Sequence, residues 1–292
     1  MRRRSSAPSA DEAADAVLRL AVLLQSGMAP ARAWQIAAET GEPIAARVHR
    51  DAAERSLVEA IAVQGGAWRD VAAAWAIATT VGAPLSDSLR AIAGALRDAQ
   101  EAADDARLAL AEPAGTARLM AWLPLVAIAL GAALGFDTAV TLVTNPLGIA
   151  CLAAGIALVL VAHRWTAALV RRAAPAPGTP GLAAELLAIA VAGGVSLDRA
   201  REVVARSGGP APDAAVEEVL HLSQRAGIPA IELLKAAAAL ARHRARIDGR
   251  LRAARLSSRL LVPLGVCTLP AFLLLGVAPM LLSVMSTMSI SL

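Results

Sequence analysis

The chain of 292 residues reads as an all-α polytopic membrane protein with three transmembrane helices and two related cytoplasmic helical-bundle domains. Three observations predict this. Three long apolar runs carry no charge. Elsewhere apolar residues recur at helical spacing, and no stretch alternates apolar with polar in the β-branched manner of a strand. One succession of glycine turns, helix start and proline-entered apolar run is also written twice. The first copy has Gly27-Met28-Ala29-Pro30, then Gly82-Ala83-Pro84-Leu85, then Leu123-Pro124-Leu125; the second has Gly194-Val195-Ser196-Leu197, then Gly227-Ile228-Pro229-Ala230, then Val262-Pro263-Leu264.

Residues 1–10 read as a disordered tail. Ser9-Ala10-Asp11-Glu12 fits a capping box, and Ala13, Val17, Leu20 and Leu24 follow helical spacing to Gly27. Breaks at Gly27, Gly41–Pro43, Gly65-Gly66 and Gly82–Pro84 divide 11–112 into about five helices, the last ending at Pro113. The first cytoplasmic domain is 11–118. Leu119 to Phe136, Val140 to Ala162 and Leu260 to Val284 follow helical span lengths, since a helix needs about 17–25 apolar residues to cross a bilayer. A short external loop at 137–145 joins the first two spans. A linker with five prolines or glycines after Ala174 leads into the core of the second domain, which is 163–259 with its core at 182–256, and 285–292 is an external tail.

Every Lys and Arg lies in 1–118 or 163–259. By the positive-inside rule both charged regions are cytoplasmic, as is the N-terminus, and the hairpin loop and C-terminus are external. The basic balance restates this asymmetry, so no nucleic-acid partner is expected; membrane lipid is. Asp11, Glu12, Asp15 and Arg19 break the first apolar stretch, which excludes a signal-peptide core there. Cys151 and Cys267 fall inside spans, as small apolar residues rather than a disulfide or metal pair.

Catalytic chemistry has no foothold. The only lysine, Lys235, follows no phosphate-cradling glycines, so ATP hydrolysis by a P-loop is excluded. His49, His163, His221 and His243 are scattered away from ligand-spaced partners, and no nucleophile motif occurs. No enzyme activity, cofactor or metal is expected. A small-solute transporter or channel subunit is the alternative, but it wants ionisable residues inside the spans, which have none.

Two patterns suggest contacts. The helix at 97–118 carries Asp98, Glu101, Asp104, Asp105 and Glu112, whereas its counterpart at 235–259 is dominated by arginine. Duplication alone does not make equivalent helices opposite in charge, so Asp104 and Asp105 are expected to pair with Arg244 and Arg246, within or between subunits. Gly131 and Gly135 form a GxxxG that permits close packing of the first span. Pro263, Pro270 and Pro279 in the last either kink it or are accommodated by neighbouring helices.

The glycine-turn blocks, with Leu24-Gln25-Ser26-Gly27, Gly82-Ala83-Pro84-Leu85-Ser86-Asp87-Ser88-Leu89, Arg118-Leu119, Leu123-Pro124 and their second-copy counterparts, resemble the type II secretion system F family of inner-membrane platform proteins. The order of domains and spans is also similar to that family's. Ala117 to Arg172 most resembles the Tad (Flp) pilus branch, with the TadB and TadC types both open. The resemblance implies a non-enzymatic oligomeric platform in the inner membrane. Its implied partners are a cytoplasmic secretion ATPase, pilin and a paralogous platform protein. For the ATPase contact the best candidates are the two helix starts, with Asp87 and Arg90 in one copy and Glu232 and Lys235 in the other.

Overall fold

A computed structural model describes residues 10–122, 126, 129, 146–173, 178–278 and 281, and the described residues contain helices and no strand. In chain order the helices are α1 (Ala10–Gln25), α2 (Pro30–Glu39), α3 (Pro43–Asp51), α4 (Leu57–Ala62), α5 (Trp68–Val81), α6 (Leu85–Ala121), α7 (Pro146–Ala173), α8 (Leu182–Ala192), α9 (Leu197–Arg206), α10 (Ala214–Ala226) and α11 (Ala230–Pro263). A π-helical turn Leu264–Thr268, a short α12 (Leu269–Phe272) and a second π-helical turn Leu273–Val277 continue α11.

The duplication is visible in the backbone. Gly27 and Gly194 have φ of 86° and 81°, and Gly82 and Gly227 have φ of 74° and 66°. All four occupy the left-handed region that a Cβ disfavours, where a glycine ends a helix at little cost. These turns equate α1 with α8, α2 with α9, α5 with α10 and α6 with α11. The first copy is longer because α3 and α4 have no counterpart. The sequence reading put one helix over 43–65; the structure has two, because Ser56 caps α4 in a full capping box with Glu59.

The described chain divides into two compact units, residues 1–103 with 177–247 and residues 104–176 with 248–292. Unit one holds both copies of the helical repeat around a single core, in place of two separate bundles. The reason lies in α5 and α8, which pack on each other. In α8 eight of eleven residues are buried, and in α5 eight of fourteen. A helix apolar nearly all round has no solvent face and must be enclosed. Trp34, 1% exposed, packs obliquely on Trp68 at a ring centroid distance of 6.1 Å and on Trp75 at 5.9 Å in the same core. Gly193 admits Val81 and Gly181 admits the backbone of Ala238, since a Cβ there would meet them at 2.4 and 2.7 Å.

Unit two is built from α7 and the end of α11 with its π-helical continuation. Two helical stretches among the described residues are long and apolar enough to cross a membrane: Pro146–Arg172 and Ala230–Val277. Only 17% and 29% of their most apolar windows are buried. A core helix of a soluble fold is mostly enclosed, so these helices carry their apolar character outward. The contact between them uses small residues. Gly148, Gly155 and Ala162 are the buried positions of α7, at intervals of seven. A Cβ on Gly155 would meet Leu275 at 2.5 Å. Across from them Leu260, Pro263, Cys267, Ala271 and Leu275 are buried. Beyond Pro263 the buried positions come every fourth residue. An α-helix of 3.6 residues per turn would let such a stripe drift; the two wider π turns wind it back toward α7.

The boundaries differ from the sequence reading in three places. α6 runs through Pro113 to Ala121, because a proline removes one ladder hydrogen bond without obliging a long helix to end. The second expected span, 140–162, is described from Pro146 and extends to Ala173. The third, 260–284, is continuous with α11 rather than separate from it. The first span, 119–136, lies for the most part outside the described residues, and with it Gly131 and Gly135. The tail at 1–9, the loop 137–145, Pro279 and the tail 285–292 lie outside them as well.

Candidate functional site

The two helix starts nominated as contact turns are built alike. Gly82 closes α5 with its N–H on the Ala78 carbonyl, and Gly227 closes α10 with its N–H on the Ser223 carbonyl at 3.0 Å. Ser88 donates to the Pro84 carbonyl at 2.8 Å, and Ser223 donates to the Ile228 carbonyl at 2.7 Å, so the buried hydroxyls tie each turn down. Asp87 and Glu232 then stand in the first turns of α6 and α11, where the helix dipole favours a carboxylate. Each has a cation three residues on: Asp87–Arg90 and Glu232–Lys235, both at 3.6 Å. Arg90 also donates to Gln25 of α1. Asp87 and Glu232 are 71% and 75% exposed, so each copy offers solvent one carboxylate beside one cation. The geometry suits an exposed polar contact and holds no reactive group.

The four residues expected to pair by charge divide. Asp105 and Arg246 both make inter-helix ion pairs, but not with the partners nominated. Arg246 meets Glu101 at 2.9 Å and Arg250 meets Asp105 at 2.8 Å. Asp104 pairs with Arg107 on its own helix at 2.9 Å, and Arg244 is exposed. One turn earlier Arg242 lies 2.7 Å from Asp98 and donates to Glu185 at 3.1 Å. The first two of these rungs, at Arg242 and Arg246, belong to unit one and the third, at Arg250, to unit two.

The register of the rungs carries information. Partners in two of them are separated by 145 residues. The same separation links Gly82 to Gly227, Pro84 to Pro229, Asp87 to Glu232 and Arg90 to Lys235. Glu101 and Asp105 on α6 therefore face the arginines at their own equivalent positions on α11, with numbers rising together along both helices, and Asp98 meets Arg242 one residue off that register. Equivalent positions that meet each other lie along a local two-fold axis. Two identical copies would have put like charges opposite one another there, at a repulsive cost. Divergence to opposite charge removes that repulsion and specifies which copy faces which.

The rungs are not equal in weight. Arg246–Glu101 and Arg250–Asp105 are largely solvated, the class of pair worth about 0.2–1 kcal/mol. Arg242 and Glu185 are only 18% and 7% exposed. Glu185 is the lone charge of α8, and without Arg242 it would be a carboxylate buried among leucines and alanines. Sequence reading passed over Glu185, although a single acid inside LAAELLAIAVA signals a partner by itself. It also passed over Asp70, which accepts from Thr179 of the linker at 2.7 Å. Burial raises the Asp70 carboxyl above its ordinary value, and the Thr179 hydrogen bond offsets part of that rise.

Among the described residues, no group of three or more His, Cys, Asp or Glu is placed to hold a metal ion. Residues 16–132 match the family model described as Type II secretion system (T2SS), protein F. That stretch runs from within α1 through α6 into the first expected apolar run, so the match falls on the first copy of the repeat. No curated protein matches the chain.

Proposed function

We propose that this protein is an inner-membrane platform of a Tad (Flp)-type pilus or a related type II secretion machine, in which unit one receives a cytoplasmic secretion ATPase and unit two sits in the bilayer. The observation that carries the reading is the type II secretion system F match over residues 16–132. The weak burial of both apolar helices supports a bilayer around unit two. The polar exterior of unit one supports a cytoplasmic partner. Lacking a P-loop, the protein performs no ATP hydrolysis of that kind; the work comes from the ATPase, and the platform passes it on to pilin. It acts as an oligomer, with copies of itself or with a paralogous platform protein, with both charged regions in the cytoplasm. The contact turns Asp87–Arg90 and Glu232–Lys235 are the docking points of the motor.

The test is co-purification of the cytoplasmic secretion ATPase with the full chain from native membranes. The wild type retains it. The double reversal Asp87→Arg with Glu232→Arg lowers retention by roughly tenfold, since two exposed charge contacts of about 0.5–1 kcal/mol each are inverted. No ATPase with the wild type would contradict the platform reading. Full retention by the double variant would move the contact elsewhere.

A further inference from the structure

The contact between α5 and α8 joins the first copy of the repeat to the second. Its two ends are fixed. Thr179, just ahead of α8, donates to Asp70 in the first turn of α5 at 2.7 Å, and Gly193, just behind α8, admits Val81 at the end of α5. The two helices therefore run side by side in the same direction. Ile77 of α5 and Ile189 of α8 are 0% and 4% exposed. The glycine turns give the counterparts of this pair, α10 for α5 and α1 for α8. Counted from Gly227 and Gly27, Leu222 stands where Ile77 does and Val22 where Ile189 does. Both are open to solvent, at 49% and 60% exposure. Ile228, the counterpart of the buried Ala83, is 43% exposed as well. The pairing of α5 with α8 is thus not repeated by α10 with α1 in the same chain.

Repeats that bury a face against the next repeat leave the first and last faces of the series open. Those two faces are made to the same plan as the pair already joined. Transferring the α5–α8 geometry to α10 and α1 sets Val22 level with Leu222 and Arg19 within a turn of Glu218. Arg19 precedes Val22 by three residues and Glu218 precedes Leu222 by four, so each charge shares the face of its apolar neighbour. Arg19 is 70% exposed and has Glu42 at 3.6 Å, a solvated pair that leaves the guanidinium open to a second carboxylate. Glu218 is exposed. Arg225, on the other side of Leu222, falls beside the uncharged Gln25 and Ser26. The faces match in apolar residue and in charge.

We propose that α1 of one copy of this chain packs on α10 of a second copy, repeating between chains the contact that α8 and α5 make within one. Two chains satisfy both faces by exchanging them reciprocally, and a ring does so in succession. The inference deepens the oligomeric part of the proposed function and is independent of the motor. ATPase retention without this contact strikes the contact alone, and the contact without ATPase retention strikes the platform reading alone.

The experiment uses two differently tagged full chains, both lacking Cys151 and Cys267, co-expressed and oxidised in native membranes. One carries Val22→Cys and the other Leu222→Cys. A disulfide should join the two tags. Val63→Cys, 60% exposed but on neither face, should join to Leu222→Cys at no more than about a tenth of that yield, since a disulfide needs its Cα atoms within about 7 Å. Arg19→Glu on the Val22→Cys chain should lower the yield roughly threefold, the scale of one exposed ion pair, and Glu218→Arg on the other chain should restore it. Equal yield from Val63→Cys would overturn the contact in favour of random collision. So would an equal yield between two chains that both carry Val22→Cys. A single chain with both cysteines that closes on itself, while the mixed pair stays unjoined, would overturn it in favour of a contact within one chain.

Discussion

Unit one and unit two follow opposite packing rules. Unit one buries its large side chains, Trp34, Trp68, Leu20, Ile61 and Leu234 among them, and turns charge outward. Unit two buries Gly148, Gly155, Ala162 and Ala271 alongside Leu260 and Leu275, and turns Leu160, Leu261 and Val266 outward, at 59%, 65% and 60% exposure. The difference identifies the surroundings. In water the gain from enclosing apolar surface selects large residues for the interior. In lipid that gain vanishes between helices, and close approach of backbones through small residues holds them together. An apolar exterior like that of unit two would be an aggregation liability in water.

Substitutions at three places probe this contrast, read by unfolding of the purified full chain in detergent. The largest effect belongs to unit one. Arg242→Ala leaves Glu185 buried and uncompensated, and is expected to cost about 3–5 kcal/mol. Combining it with Glu185→Leu should recover most of the loss, because the interior of unit one accepts an apolar pair more readily than half an ionic one. A smaller effect belongs to unit two. Gly155→Val drives a branched side chain into Leu275, an overpacking cost of about 1–3 kcal/mol. Ile156→Val, at the next position and 48% exposed, should be nearly silent. If the two substitutions cost the same, the small-residue interface is not what joins these helices.

The smallest effect concerns Asp70. Burial raises its carboxyl above the unfolded value, so protonation favours the folded state. Its unfavourable contribution is largest above the folded pKa and fades as pH falls through it towards the unfolded value. Asp70→Asn keeps an acceptor for Thr179 and loses the charge. It should raise Tm by about 1–2 °C at pH 8, with the gain shrinking under acid conditions. A gain that grows as pH falls would contradict the assignment.

Much of this contrast was legible in the sequence. Charge-free runs marked the apolar helices, and glycine–proline punctuation marked the repeat, because both signals are local. Three features escaped. The single core of unit one depends on α5 and α8 being apolar all round, which periodicity reports as burial without saying which copy supplies the cover. The division of 43–65 was missed although Ser56 and Glu59 stand at capping-box spacing. The charge ladder was anticipated in kind but not in register. Arg244 and Arg246 are two residues apart and cannot share a helix face, whereas Arg242, Arg246 and Arg250 do. Counting by fours along α11 would have found the rungs. Among the nominated contact residues, Asp87 with Arg90 and Glu232 with Lys235 were findable because each pair is local to one turn. The π turns had only Pro263 and Pro270 as a signal, and prolines announce a disturbance rather than its form.

The account stands or falls on where the outward face of unit two lies. Spin labels at Ile156, Val266 and Leu273, each replaced singly by cysteine in a chain lacking Cys151 and Cys267, test it in reconstituted bilayers. The account predicts fast relaxation by dissolved oxygen and none by a water-soluble nickel chelate at all three positions, with a label at Glu232 behaving the other way. Relaxation of the three by the nickel chelate, or shielding of them from both reagents, would contradict it.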